Sequence, residues 1–266
     1  MRPTCAVIPA AGKATRLYPL TYAVPKELLP VGPFPAMQHV VAGVIAGGIT
    51  DIIVVTAEGK GAIREHFDIA CERGEIDATF TYVIQEIQRG LGDAVATARA
   101  AVGDRPFVVA LGDALIVEPQ PGELLRRMQA VFEESNADAV VVVERIDPAD
   151  TVKYGIVAPV GEPGDAVKLC DLVEKPEPQE APSNLAICGR YVFRPAIFDY
   201  IAVQRPGSGG EIQLTDALAN LTRSGGAVYA CPLAEGQRRL DIGNLRSYYR
   251  AVAKLAGPLL DTSLPD

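Results

Sequence analysis

Short runs of β-branched residues alternate with helical patterns along the first half of the chain, and this alternation restricts the fold more than any other feature. The runs Ile52–Thr56, Phe107–Leu111 and Ala139–Val143 are continuously apolar. Such runs are typical of strands that are buried on both faces, as in parallel sheets covered by helices. Leu91–Val102, which precedes one of these runs, repeats apolar residues at helical spacing. The pattern therefore predicts an α/β fold with a mainly parallel sheet.

The second half of the chain, from about Tyr154, has a different pattern of predicted secondary structure. The segments Gly155–Ala158, Val167–Glu174 and Leu185–Phe193 follow one another with turn signals and little helix. Strands joined in this way pair in antiparallel fashion. We therefore expect a Rossmann-like, mixed, mainly parallel sheet that is flanked by helices, with an antiparallel-rich second half.

No linker separates the two halves of the sequence, so one domain is expected over residues 1–256. Its halves, about 1–150 and 151–256, are expected to share one core. Residues 257–266 are expected to form a C-terminal tail.

Charge and cysteine content exclude several classes of protein. Acidic side chains outnumber basic ones by 33 to 25, which disfavours a nucleic-acid partner because such binding needs a basic surface. Five scattered cysteines without a C-x-x-C pair predict neither a disulfide framework nor a zinc site. No apolar run approaches the ~20 residues that span a membrane, and Pro3 and Pro9 interrupt the N-terminal apolar stretch. We expect a cytoplasmic protein without a membrane partner; the oligomeric state stays open, a homo-oligomer included.

A loop of small residues follows the first predicted strand, Cys5–Pro9. It runs Ala10-Ala11-Gly12-Lys13-Ala14-Thr15-Arg16, and Pro25-Lys26-Glu27 follows soon after. Small residues let backbone N–H groups approach an anion closely, and Arg16 and Lys26 add positive charge. The loop is neither a P-loop nor a dinucleotide fingerprint, because no Gly-Lys pair precedes Ser or Thr and G-x-G-x-x-G is absent. A strand-to-helix turn with solvated cations is the simpler alternative.

Two aspartates lie at the ends of apolar segments. Asp113 follows Gly112, and Asp241 stands two residues before Gly243. Ligands of α/β sheets bind at the carboxyl ends of strands, and two carboxylates with phosphate oxygens suit Mg²⁺. Either aspartate could equally be an ordinary solvated carboxylate.

The loop and its surroundings resemble the sugar-1-phosphate nucleotidylyltransferase family, and most closely its bacterial UTP–glucose-1-phosphate uridylyltransferases. The family opening is A-x-G-x-G-T-R, then P-x-T, then P-K-E and a further proline. The positions that match are Ala11, Gly12, Thr15, Arg16, Pro19, Thr21, Pro25, Lys26, Glu27 and Pro30. Ala14 replaces the second glycine of the family, and the segment between Asp68 and Gln85 is shorter than usual. The resemblance extends from about Cys5 to Ala253.

The resemblance implies roles for individual residues. Nucleotide-binding residues would be Ala10, Ala11, Gly12, Thr15, Gln85 and Gly90. Sugar-phosphate-binding residues would be Tyr154, Gly155, Glu174, Lys175, Asn184 and Glu211. Arg16 and Lys26 would be catalytic, and Asp113 and Asp241 would hold Mg²⁺. Residues 1–150 would then be the nucleotide-binding half, and residues 151–256 the sugar-phosphate-binding half.

The expected reaction joins a nucleoside triphosphate to a sugar-1-phosphate and releases pyrophosphate and an NDP-sugar. The phosphate of the sugar is its own nucleophile, so the chemistry needs alignment and charge neutralisation rather than a catalytic triad. UTP with glucose-1-phosphate is the preferred pair, and the amide of Gln85 suits a pyrimidine edge.

Other functions stay open at this point. A thymidylyl- or other nucleotidylyltransferase for a different sugar or cyclitol phosphate is the nearest alternative. A non-catalytic nucleotide or sugar-phosphate sensor is another, whereas the missing glycine fingerprint disfavours a nicotinamide dehydrogenase.

Overall fold

A computed structural model of the chain describes residues 2–162 and 164–260. The strands are β1 (Cys5–Pro9), β2 (Pro30–Val31), β3 (Phe34–Pro35), β4 (Asp51–Thr56), β5 (Thr79–Ile84), β6 (Phe107–Ala110), β7 (Ala114–Val117), β8 (Ala139–Arg145), β9 (Gly155–Pro159), β10 (Val167–Glu174), β11 (Leu185–Phe193), β12 (Val228–Pro232) and β13 (Arg238–Asp241). The helices are α1 (Ala36–Ala46), α2 (Gly61–Glu72), α3 (Leu91–Thr97), α4 (Arg99–Val102), α5 (Glu123–Glu134), α6 (Ile197–Ala202), α7 (Leu214–Arg223) and α8 (Leu245–Leu260).

Within the described residues, the central sheet has nine strands in the order β5-β4-β1-β6-β11-β8-β12-β10-β9. The pairings β5–β4, β4–β1, β1–β6 and β12–β8 are parallel. Strand β11 lies antiparallel between β6 and β8 and therefore joins the two predicted halves in one sheet. Strands β6 and β8, whose apolar runs indicated parallel strands, each have the antiparallel β11 on one side, because a run that is buried on both faces does not encode strand direction.

Helices cover both faces of the sheet, because alternate residues of each strand point to opposite sides. Val7 and Val109 belong to the core on one face, which α3, α6 and α7 cover, whereas Ile8 and Val108 belong to the core on the other, which α1, α2 and α5 cover. The predicted α/β class with a Rossmann-like mixed sheet is confirmed.

A second, smaller layer lies beside the sheet. Strands β7 and β13 form an antiparallel ribbon, and α8 packs against it through Tyr248 and Ala251. The backbone of α8 continues to Leu260, four residues into the predicted tail, and the rest of that tail lies outside the described residues. No helix in the described part of the chain is both long and apolar enough to cross a membrane.

Candidate active site

A cleft of about 540 Å³ opens where several strands of the sheet end. The loop after β1, the turn after β6 and the segment after β5 all reach it, because parallel strands place their carboxyl ends at one edge of a sheet. Site residues that were predicted from the sequence lie together here, although up to two hundred positions of the chain separate them. The predicted site residues that line the cleft are Ala11, Gly12, Thr15, Arg16, Lys26, Gln85, Gly90, Asp113 and Glu211.

Lys60 fixes the loop that follows β1. Its Nζ donates hydrogen bonds to the carbonyl oxygens of Ala10 and Gly12, at 2.7 Å each, and to Glu27 Oε2 at 3.0 Å. Ala10, which was predicted to bind the nucleotide, thus accepts the hydrogen bond of Lys60 through its backbone and does not line the cleft. Within the same loop, Ala14 has a φ of 54°, a left-handed conformation that glycine adopts at lower cost.

Glu27 lies beneath the loop and is almost fully buried, with 1% of its surface exposed. Its Oε1 has no hydrogen-bond partner among the described residues. Burial raises the pKa of the Glu27 carboxyl above its ordinary value, although the charges of Lys60 and Lys26 oppose that shift. Burial likewise lowers the pKa of Lys60, against the effect of Glu27. Both shifts favour the neutral forms, so the cost of burial exceeds the attraction between the two charges.

Lys26 and Asp113 form the central ion pair of the cleft. Lys26 Nζ donates to Asp113 Oδ2 at 2.5 Å, and both side chains are largely buried. Burial opposes the charged form of Asp113, but the charge and hydrogen bond of Lys26, a backbone hydrogen bond and the charge of Arg16 together hold the pKa of Asp113 below its ordinary value. Burial also lowers the pKa of Lys26, yet Asp113 and Glu27 together raise it above its usual range. Lys26 therefore stays positively charged at neutral pH.

The ribbon of β7 and β13 brings the second aspartate to the first. Asp241 pairs with Ala114 across the ribbon, and the backbone N–H of Ile242 donates to the carbonyl oxygen of Asp113 at 3.1 Å. Asp241 Oδ1 accepts hydrogen bonds from the Gly243 N–H at 2.6 Å and from Ser247 Oγ at 3.1 Å. Asp113 and Asp241 therefore lie on adjoining backbone, and Asp241 has a fixed orientation.

Arg16 reaches the same place from the loop after β1. A Cβ atom built on Gly243 would lie 2.9 Å from Asp241 Oδ1 and 3.5 Å from Arg16 Nη2, so glycine at this position leaves room for both side chains. Arg16 and Lys26 thus line the cleft together with Asp113, and Asp241 lies on the backbone that adjoins Asp113. This arrangement suits a ligand rich in phosphate oxygens.

The donor set of the two aspartates fits a magnesium ion that also binds phosphate. Among the described residues, no group of three or more His, Cys, Asp or Glu side chains is arranged to hold a metal by itself. Mg²⁺ in proteins commonly takes one or two carboxylates and completes its shell with water and substrate phosphates. Asp113 and Asp241 meet that description.

Gln85 and Gly90 form another wall of the cleft. Gln85 is 4% exposed, and its Nε2 donates to Asp93 Oδ2 at 2.7 Å. Gly90 has a φ of 112°, and a Cβ atom there would lie 2.8 Å from the carbonyl oxygen of Ile212. The Gly92 N–H also donates to that oxygen, at 2.8 Å, so the segment after Gln85 is held against the loop that contains Glu211. The predicted nucleobase and sugar segments therefore touch.

Four of the predicted sugar-phosphate residues form a second group. Gly155 pairs with Glu174 between β9 and β10, and the Lys175 N–H donates to the carbonyl oxygen of Tyr154 at 3.0 Å. Lys175 Nζ lies 3.2 Å from Glu174 Oε1. Arg239 of β13 stacks over the ring of Tyr154, with Cζ 4.4 Å from its centroid. Strand β13 thus connects this group to Asp241, two residues further along.

Asn184 occupies a different position. Its Oδ1 accepts a hydrogen bond from Arg145 Nη1 at 2.8 Å, and its Nδ2 donates to the carbonyl oxygen of Ile146 at 3.3 Å. These contacts join the end of β8 to the start of β11. Asn184 is absent from the lining of the cleft, and so are Tyr154 and its three neighbours.

Sequence reasoning missed Lys60, Asp93 and Arg239. Lys60 had a usable signal, since it follows strand β4 within Gly59-Lys60-Gly61 and could have been placed at the same sheet edge. Asp93 lies in the segment Arg89–Val95, which resembles the nucleobase-binding motif of the family, but its contact with the Gln85 side chain is visible only in the tertiary structure. Arg239 had no signal, because only the tertiary structure brings it near Tyr154.

Comparison with known proteins identifies the family of the chain. The sequence profile of the nucleotidyl transferase family matches residues 5–257. The chain belongs to this family. The predicted resemblance is therefore confirmed, and the chain is a nucleotidyl transferase.

Several individual members of the family are similar to this chain over nearly its whole length. UTP–glucose-1-phosphate uridylyltransferase 2 of Staphylococcus saprophyticus is 41% identical, over 98% of this chain and 94% of the relative. The corresponding enzyme of Staphylococcus epidermidis is 39% identical, over 94% and 91%. A UDP-glucose pyrophosphorylase complexed with UDP-glucose superposes with a TM-score of 0.89 at 29% identity, over 96% of this chain and 99% of that one. A UTP-bound enzyme from Acinetobacter baumannii gives a TM-score of 0.84 at 31% identity, over 99% and 100%.

Proposed function

We propose that this nucleotidyl transferase converts UTP and glucose-1-phosphate into UDP-glucose and pyrophosphate. The meeting of Arg16, Lys26, Asp113 and Gln85 in one cleft, with Asp241 on the backbone that adjoins Asp113, is the observation on which the proposal depends. Uridylyltransferases at up to 41% identity support the choice of substrates.

The reaction is a displacement at the α-phosphorus of UTP. An oxygen of the sugar phosphate forms the new P–O bond while the bond from the α-phosphorus to the α–β bridging oxygen breaks, and its electron pair leaves with pyrophosphate. No proton needs to be removed from the nucleophile, which explains how a site without a general base suffices. The rate enhancement comes from positioning of the substrates and from stabilisation of the charge that develops in the transition state.

Arg16 and Lys26 bind and orient the triphosphate in this scheme. Lys26 remains protonated because Asp113 and Glu27 raise its pKa, so it presents a fixed charge to the phosphates. The loop from Ala11 to Thr15 would surround the phosphates with backbone N–H groups, in a shape that Lys60 maintains through the carbonyl oxygens of Ala10 and Gly12.

Asp113 and Asp241 are the residues that would hold Mg²⁺. When bound, this ion would neutralise charge on the phosphate oxygens and help to align the two substrates. Lys26 now contacts Asp113 Oδ2, so binding of metal and triphosphate would exchange this ion pair for contacts with phosphate.

The second group of residues is proposed to bind glucose-1-phosphate. Lys175 would contact the phosphate, and Glu174 would accept hydrogen bonds from sugar hydroxyls. Tyr154 and Gly155 would shape the sugar pocket, with Glu211 between sugar and nucleotide and Asn184 as a support from the strand end.

A pyrimidine triphosphate is expected to be preferred over ATP and GTP. Gln85 and the backbone at Gly90 form one wall of the cleft. Their polar groups suit a pyrimidine ring that presents a carbonyl and an N–H side by side. A mismatched buried amide costs roughly 1–3 kcal/mol, so the preference should reach about 10–100-fold. Thymine presents the same edge as uracil, which keeps a thymidylyltransferase as the second candidate. Both substrates are cytoplasmic metabolites, and we place the enzyme in that compartment.

A release assay for pyrophosphate tests the proposal. Purified protein, Mg²⁺, UTP and glucose-1-phosphate should release pyrophosphate, and omission of either substrate should abolish the signal. A panel of UTP, dTTP, CTP, ATP and GTP against several sugar phosphates then identifies the pair with the highest kcat/KM. Binding of UTP without pyrophosphate release from any pair would favour a sensor and refute the catalytic assignment. Highest activity with a purine triphosphate would refute the assignment of Gln85.

A further inference from the structure

Asp93 contacts the side chain that is proposed to face the nucleobase, yet no family motif identified from the sequence assigns it a role. Asp93 Oδ2 accepts from Gln85 Nε2 at 2.7 Å. Asp93 Oδ1 accepts from Arg89, through Nη2 at 2.7 Å and Nε at 3.1 Å. Its side chain is mostly buried, at 13% exposure. Both carboxylate oxygens are therefore occupied, one by Arg89 and the other by the amide of Gln85.

The orientation of the Gln85 amide follows from this contact. An ionised carboxylate only accepts hydrogen bonds, so the amide must turn its NH₂ group toward Asp93. The second hydrogen of Nε2 points to the carbonyl oxygen of Gly90 at 3.5 Å. The backbone N–H of Gln85 is bound to the carbonyl oxygen of Thr56 at 2.8 Å, which fixes the base of the side chain. Within the described part of the chain, Oε1 is the polar side-chain atom of Gln85 that remains for a ligand.

We infer that Asp93 is a specificity-determining positioning residue, which holds Gln85 Oε1 toward the base and thereby selects a pyrimidine that carries a hydrogen on N3. Uracil and thymine donate from N3. Cytosine presents a lone pair on N3, which would face the lone pairs of Oε1 in the same pose. The inference rests on the proposed nucleotide site, but it concerns which ring edge the site accepts and not whether transfer occurs.

Asp93→Asn gives the sharpest test because it should invert the amide. Arg89 only donates, so it would hold the side-chain oxygen of the introduced asparagine and leave the NH₂ group of that asparagine toward Gln85. Gln85 would then turn its oxygen to that NH₂ group and present its own NH₂ to the base. An NH₂ group matches N3 of cytosine and opposes the N3–H of uracil.

Two variants control for a merely structural effect. Asp93→Glu keeps a carboxylate that only accepts, so it should retain the preference for uracil. Thr97→Val removes the hydrogen bond from Thr97 Oγ1 to the backbone carbonyl of Asp93, 2.8 Å long, without altering the carboxylate. It should leave the base preference unchanged even if stability falls.

Equilibrium titration of the full chain with UTP and with CTP, in Mg²⁺, measures the preference independently of catalysis. We expect the unaltered protein to bind UTP at least ~10-fold more tightly than CTP, and the ratio to fall at least ~10-fold in Asp93→Asn. Equal affinity of the unaltered protein for UTP and CTP would overturn the inference, and so would an unchanged ratio in Asp93→Asn. If Asp93→Asn does not fold, Asp93→Ala, which removes the acceptor of the Gln85 amide, should also lower the ratio, and an unchanged ratio in that variant would overturn the inference. Failure of the proposed function would instead appear as absent pyrophosphate release while this discrimination persists.

Discussion

Replacing Lys60 with methionine should destabilise the protein and distort the phosphate loop together. Methionine has a similar length but donates no hydrogen bond, so Ala10, Gly12 and Glu27 each lose a partner. Glu27 would then keep a buried charge with neither oxygen bound within the described residues. Breaking a buried ion pair by removing one member costs about 3–5 kcal/mol. We expect about 3 kcal/mol, because Lys60 is 14% exposed and Glu27 can take up a proton.

The loss should also depend on pH in a defined direction. Burial already raises the pKa of Glu27, and the charge of Lys60 restrains that rise. Without Lys60 the pKa of Glu27 in the folded state would rise further above its value in the unfolded state. The pH range in which the folded state binds more protons than the unfolded state would therefore be wider. Stability of the variant therefore falls as pH rises through this range, by up to about 1.4 kcal/mol per pH unit. The gap between the variant and the unaltered protein should be wider at about pH 7.5 than at about pH 5.5.

Urea unfolding at both pH values, followed by circular dichroism, measures the free energies. The double variant Lys60→Met with Glu27→Gln removes the buried charge and should recover about half of the loss. Lys168→Met, at an exposed position of β10, controls for the substitution itself. A loss below about 1 kcal/mol, or a double variant no more stable than Lys60→Met, would refute the reasoning.

Three further changes test other parts of the site. Lys26→Ala should lower kcat/KM at least ~100-fold because it removes a charge matched to the reacting phosphates, with Lys168→Ala as the control; near-normal turnover would contradict the assignment. Activity should vanish with EDTA and return with Mg²⁺, and Asp113→Asn should raise the Mg²⁺ concentration required, since an amide is a weaker ligand; turnover that ignores EDTA would disprove the metal assignment. Ala14→Gly should relieve the left-handed strain of φ 54° and stabilise the fold by about 0.5–1 kcal/mol, and a lower thermal midpoint would show that the strain is absent.

The sequence by itself determined the elements and the local motifs. Apolar periodicity is a property of neighbouring residues, so strands such as β1, β4 and β6 could be predicted along with the helical segment Leu91–Val102, which the structure divides into α3 and α4. Because parallel strands end at one edge, the placement of Arg16, Lys26 and Asp113 near one another also followed. The family was recognisable for the same reason, since its motifs occupy short stretches of chain.

The tertiary structure decided which distant residues meet and which atoms face the cleft. Lys26 contacts Asp113 across 87 positions of chain, and Lys60 contacts Glu27 across 33. Asp241 reaches Asp113 only through the register of β7 with β13, and β11 enters the sheet between β6 and β8. Such pairings depend on long-range strand register and on burial, which no local pattern encodes. The orientation of the Gln85 amide is a further case, because it is set by Asp93 and not by any property of glutamine itself.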